Sequence, residues 1–164
     1  MSTIHASAFV LLVIPLAPSV SGQQHPTVRV ETLVVTQDSG DQSLFINQGG
    51  QVAGNRIVNG NLRAFCWTRQ KGILDLGTLG GATSSAYGIN DLGQIVGTAE
   101  TAGGVPHAFI YAEGTMTDLN DLLPADSGWL VLTQAKSINN NGQVVGTGIT
   151  TDGYTHAFVL DMSQ

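Results

Sequence analysis

Ile46-Asn47-Gln48-Gly49-Gly50-Gln51-Val52-Ala53-Gly54 returns as Ile89-Asn90-Asp91-Leu92-Gly93-Gln94-Ile95-Val96-Gly97. It returns again as Ile138-Asn139-Asn140-Asn141-Gly142-Gln143-Val144-Val145-Gly146. Repetition at a period of 43 and then 49 residues marks a repeat architecture and outranks any local propensity. Asn at the first position of a turn with Gly three residues later is the type I turn signature, in which Gly50, Gly93 and Gly142 take the left-handed conformation. The side chains of Asn47, Asn90 and Asn139 are placed to cap the backbone amides of their own turns. Hairpins are therefore expected, the second from Ala86–Asn90 and Gln94–Thr98. The closing Gly54, Gly97 and Gly146 point to a strand end or a close backbone approach.

Each turn is followed, 16, 17 and 17 residues after its Asn, by Arg63-Ala64-Phe65, His107-Ala108-Phe109 and His156-Ala157-Phe158. His107-Ala108-Phe109-Ile110-Tyr111 is apolar on both alternating faces, as in a strand held between two layers. A third block, Asp-Leu, stands at Asp75-Leu76 and Asp118-Leu119, and Met116–Leu119 completes a fourth short strand after the Glu113-Gly114 turn. The unit is an antiparallel meander, and no window has helical periodicity. Repeats of about 30–72, 73–121 and 122–161 follow, the longer spacing of the last lying in Leu122–Trp129. Repeat three stops at Leu160-Asp161, and Val30-Glu31-Thr32-Leu33 stands where its Asp-Leu strand belongs. Thr32 precedes Asn47 by 15 residues, as Asp75 precedes Asn90, so the N-terminal strand is expected to close the last repeat.

The combination Ile-Asn-x-x-Gly-Gln-apolar-Val-Gly, then His-Ala-Phe, then Asp-Leu, resembles the HAF family of bacterial extracellular repeats, over about residues 30–161. Asp118-Leu119-Asn120-Asp121-Leu122-Leu123-Pro124, Gly128-Trp129 and Ala135 resemble its C-terminal repeat. Arg63 in place of His, Ala53 in place of Val, and Ser43-Leu44-Phe45 depart from the pattern. The resemblance implies a secreted, all-β, propeller-like array, and it implies no established enzyme activity. Four strands per repeat suit a propeller blade, although closed propellers have 4–8 blades and three repeats are present. A β-trefoil is the alternative architecture. A homodimer completing a six-bladed ring, or a truncated remnant of a longer array, is a further option.

Residues 1–28 contain no Asp, Glu, Lys or Arg, and Ala6–Ala17 is an apolar run. Twelve residues are too few to cross a bilayer and suit the core of an export signal. Residues 1–22 are thus expected to be a signal peptide, with residues 23–164 as one secreted β-repeat domain. An uncleaved anchor or a buried N-terminal strand is the alternative. Cys66 is the only cysteine, which excludes an intramolecular disulfide. Of 164 residues 11% are charged, 6 basic against 12 acidic, for a net charge of −6. Helical bundles need more charge on their outer faces, and nucleic-acid backbones need a basic patch, so neither class fits.

His107 and His156 occupy one repeat position and could converge on a metal. The third equivalent, Arg63, is a permanent cation and opposes it. The structural reading, a hydrogen bond from each to a turn backbone, is preferred, and no metal or cofactor is expected. Asp75 and Asp118 are the only symmetric acids available for glycoside cleavage, but repeat-equivalent residues default to turn-forming roles. No nucleophile elbow, phosphate loop or His-Glu-x-x-His motif occurs, and no catalytic residue is assigned. Phe65, Phe109 and Phe158 are read as core. Trp67 and Tyr111 share a position two residues beyond Phe and are read as packed beside it. Trp129, outside the repeat pattern, is the candidate partner contact, together with the stretches Asn55–Leu62, Glu100–Pro106 and Leu122–Gly128 that vary between copies. The chain reads as an exported, non-catalytic binding module for a glycan or another surface protein, with a carbohydrate-active propeller enzyme as runner-up.

Overall fold

Alternating apolar residues between the Asn-x-x-Gly turns produce strands, and the strands sort into three antiparallel sheets. The computed structural model of the protein describes residues 43–162. The export signal expected over residues 1–22 and the closing strand expected at Val30–Leu33 lie outside them. Strands β1 (Phe45–Ile46), β2 (Val52–Val58), β3 (Asn61–Thr68) and β4 (Gly72–Asp75) form the first sheet in sequence order. Strands β5 (Gly80–Ile89), β6 (Ile95–Thr101), β7 (Pro106–Ala112) and β8 (Thr115–Asp118) form the second in the same order. A 3₁₀ turn at Leu119–Leu122 leads to β9 (Trp129–Ile138), β10 (Gln143–Thr150) and β11 (Thr155–Asp161), the third sheet. Among the described residues there is no α-helix. Residue 73 therefore falls inside β4, the last strand of the first sheet.

Both hairpin strands of the second repeat form where the motif places them, with Ile89 opposite Ile95 across the Asn90–Gly93 turn. A β-trefoil needs its repeats to pair around a shared barrel. Here each sheet comes from one repeat, and no barrel closes among the described residues. The first strand of each sheet lies across the middle of the sheet before it, β5 over β2 and β3, β9 over β6 and β7. Register shifts in the β5–β6 and β9–β10 pairings bend these long edge strands into that position.

The period-2 pattern explains the core. In β6, Ile95 turns to the first sheet and packs with Ala53, Ala64, Leu76, Ala86 and Phe109. Its neighbour Val96 turns the other way, into a cluster with Ala108, Ile110, Leu132, Ala135, Ile138, Val144 and Phe158. The second sheet is thus buried on both faces, which is why its strands carry almost no charge. Phe65 and Phe109 are fully buried, Phe158 nearly so. Each such side chain contributes about 1.5–3 kcal/mol by leaving water.

Candidate functional site

Each Asn-x-x-Gly turn caps itself, as its sequence requires. The Oδ1 atoms of Asn47, Asn90 and Asn139 accept from the backbone N–H of Gln51, Gln94 and Gln143 at 3.0, 2.9 and 2.9 Å. Gly50, Gly93 and Gly142 close the turns at φ of 72°, 77° and 76°. The amide nitrogen of each Asn also donates to the side chain of that Gln, at 2.7, 2.6 and 2.8 Å. A second donation leaves the repeat: Asn47 Nδ2 reaches the carbonyl of Asn90 at 2.9 Å, and Asn90 Nδ2 that of Asn139 at 3.0 Å. The three turns therefore form one hydrogen-bonded row. Asn47 and Asn90 are buried by the turn that follows each, whereas Asn139, at the end of the row, is exposed.

A parallel row runs one residue on. Gln48 N–H donates to Asp91 Oδ1 and Asp91 N–H to Asn140 Oδ1, both at 2.9 Å, while Asn140 Nδ2 returns to Asp91 Oδ2 at 2.8 Å. The Gln48 amide and the Asn140 side chain, bonding its ionised form, hold the Asp91 carboxyl below the ordinary aspartate value. A group depressed in the folded state stabilises it above the unfolded value, and that contribution is lost as pH falls through the folded one. The stability excess of wild type over Asp91→Asn is accordingly expected to shrink as pH falls below about 4. Urea titrations at stepped pH check this, and a pH-independent difference contradicts it.

The His/Arg position also acquires a partner, though not the expected one. Arg63 Nη2 donates to Asp75 Oδ1 at 2.9 Å, and His107 Nδ1 pairs with Asp118 Oδ2 at 2.5 Å. The partner is a carboxylate from the fourth strand rather than a turn backbone, because Phe65 and Phe109 lie in register with Asp75 and Asp118. The same carboxylates accept from Gly77 N–H and Asn120 N–H, both at 2.9 Å, so they fix the exit of each sheet. Arg56 adds a second cation to Asp75, at 3.6 Å. His156 is exposed on β11. Among the described residues no group of three potential metal ligands occurs. Each of the two symmetric acids is thus held by its own cross-strand partner in its own sheet.

Trp129 serves packing. Its ring meets Phe158 edge-on, centroids 6.0 Å apart and planes at 79°, against the cluster between the second and third sheets. Asn55–Leu62 is not a loop but the facing halves of β2 and β3. Asn55 is buried and clamps the outer edge of β5, accepting from Ala86 N–H at 2.7 Å and donating to Ala86 C=O at 3.3 Å. Asn120 grips Leu132 on β9 likewise, at 2.7 and 3.0 Å. Cys66 is half-buried, and burial pushes its thiol pKa up, away from reactivity.

One concavity gathers chemistry that the sequence reading did not single out. A cleft of about 540 Å³ opens at the first sheet between the β1–β2 turn, Gln48 to Gln51, and the β3–β4 turn, Trp67 to Gln70. Trp67, Gln48, Gln51, Gln70, Thr68 and Arg69 line it, and among the described residues no Asp or Glu does. The Gln51 carbonyl is engaged by Asn47, which leaves its amide nitrogen as a donor. Trp67 shares its repeat position with Tyr111, and that equivalence makes it look like core. The signal that distinguishes it is the longer polar turn Thr68-Arg69-Gln70-Lys71-Gly72 after it, where the second copy has Ala112-Glu113-Gly114 after Tyr111.

Residues 46–155 match the model of a family described as "Protein of unknown function (DUF3466)". No curated protein matches the chain.

Proposed function

The chain belongs to the DUF3466 family, whose function is unknown, and from that premise we propose that it is an exported, non-catalytic β-repeat module that binds a glycan. The uncharged N-terminal stretch with its apolar run supports export. The repeated Asn-x-x-Gly-Gln, His-Ala-Phe and Asp-Leu blocks support kinship with the HAF repeats. Successive meanders, each crossed by the first strand of the next, support a propeller-like fan.

The carrying observation for binding is the cleft at Trp67. An indole face stacks on the C–H face of a pyranose, while amide and hydroxyl groups meet its hydroxyls in both donor and acceptor senses. Hydrolysis would need two carboxyl groups facing the bound sugar, and among the described residues that line the cleft there is no Asp or Glu. Trp67→Ala is expected to weaken retention on the bound polysaccharide about tenfold or more. Affinity electrophoresis through a panel of soluble polysaccharides, with Trp129→Phe as the control, measures it. Retention by none of the panel, or equal retention of wild type and Trp67→Ala, overturns the reading.

A further inference from the structure

Among the described residues, the row of turns and the stack of sheets end with matching surfaces that no other strand covers. Val96, Ala108 and Ile110, on the second sheet, are buried under β9. Their repeat equivalents on the third sheet, Val145, Ala157 and Val159, face outward, with Val145 42% and Val159 72% exposed. Val145 and Val159 are direct cross-strand partners, so they form one apolar patch. At the other end Ile138, buried on the second sheet, corresponds to Ile46, which is 71% exposed. Its neighbour Leu44 is 48% exposed. The polar row is open in the same sense. Among the described residues, Asn139 Nδ2 bonds Gln143 but no following turn, while the Asn47 carbonyl accepts only from its own Gly50. One end thus carries the donor and the patch, the other the acceptor and the side chains that would cover it.

From this we infer that the chain self-associates head to tail, the outer face of its third sheet receiving the β1 edge of a second copy. Ile46 of the second copy would sit over Val145 and Val159 as Ile138 sits over Val96 and Ile110. Asn139 Nδ2 would bond the Asn47 carbonyl of that copy, and Asn140 N–H would meet its Gln48 side chain, continuing both rows. What identifies the occupant is continuity: at Ile46 and along both polar rows the joint follows an interface that forms twice inside the chain. Such a contact is heterologous, so it either closes into a ring or extends. The joint shares Gln48 with the Trp67 cleft, but association is read as mass and glycan binding as retention, so failure of one reading is distinguishable from failure of the other.

Sedimentation and light scattering on the full chain test the inference. A mass of twice 17.1 kDa or more is expected for wild type. Val159→Glu, which blocks the tail, and Ile46→Glu, which blocks the head, should each weaken association about tenfold or more. Both side chains are exposed, so circular dichroism should show both variants folded. An equimolar mixture of the two variants keeps one intact joint and should form one-to-one pairs that neither forms alone. A tail-to-tail contact would instead be lost with Val159→Glu, keep its strength in Ile46→Glu, and fail to be restored by mixing, which overturns the proposal. So does a monomeric wild type; if Val159→Glu then lowers Tm, residues of the same chain cover the face.

Discussion

Gly97→Ala is expected to lower the unfolding free energy by about 3 kcal/mol or more. A Cβ at residue 97 would lie 1.9 Å from the Ser85 carbonyl oxygen and 2.8 Å from the Phe109 ring. The obstacle is backbone in a strand buried on both sides, so no rotamer change relieves it. Relief requires β5 to move away from β6, and β5 is also the strand that Asn55 clamps to the first sheet. Against a total stability of about 5–15 kcal/mol, that loss leaves a visible unfolded fraction. Gly146→Ala should behave alike, since its Cβ would stand 2.0 Å from the Gln134 carbonyl oxygen. Gly54→Ala should cost less, because its nearest obstacle is the tip of Leu44, an exposed side chain that can swing aside. Gly103→Ala, with Thr101 Oγ1 3.8 Å away, is the control and should fall within about 0.5 kcal/mol of wild type. Urea unfolding of the four variants decides it; equal effects for residues 97 and 103 would refute the close-approach account.

Asn90→Asp should be nearly as damaging although it replaces one atom. The change keeps the Oδ1 acceptor for Gln94 N–H and Leu92 N–H. It turns the amide donor into a second oxygen aimed at Gln94 Oε1, 2.6 Å away, and at the Asn139 carbonyl, 3.0 Å away. Gln94 can turn its amide nitrogen to that oxygen, but the Asn139 carbonyl cannot, so one hydrogen bond becomes a repulsion beside a buried carboxylate, which costs about 2–3 kcal/mol. Asn47→Asp meets the same two acceptor types and should follow it. Asn139→Asp loses only the exposed bond to Gln143 and should cost less than about 1 kcal/mol. A graded series, large at residues 47 and 90 and small at 139, is the signature of a row that runs from turn to turn. Equal costs at all three positions would mean that the Asn side chains act only within their own turns.

Much of this protein was legible before any coordinates. The hairpins follow from Asn-x-x-Gly between apolar alternations, because turn chemistry and the two-residue strand period are local properties. The glycine inside β2, β6 and β10 was legible as a close approach, but not what approached it. Ser85 and Gln134 lie in edge strands whose bulges carry them over the following strand, and that path depends on the sheet underneath. Trp129 drew attention as the aromatic residue outside the repeat, and the cluster around Phe158 absorbed it. Trp67 looked like one more core position. The sequence reading also assigned Arg63 and His107 to turn backbones, since a cross-strand register with Asp75 and Asp118 is invisible without the pairing.

The sequence alone determined the all-β meander, the positions and caps of the turns, and the scarcity of charge that lets a sheet be buried on both faces. These rest on interactions within about five residues or on side-chain alternation, and need no knowledge of neighbours. Only the tertiary structure decided that three separate sheets form, that Asn55 and Asn120 clamp edge strands, and that the turns join into a row. It alone placed Trp67 in a cleft wall and left Val145 and Val159 in solvent. Equivalent residues in a repeat have identical local physics; which of them is core, clamp or open surface depends on whether another sheet lies against it.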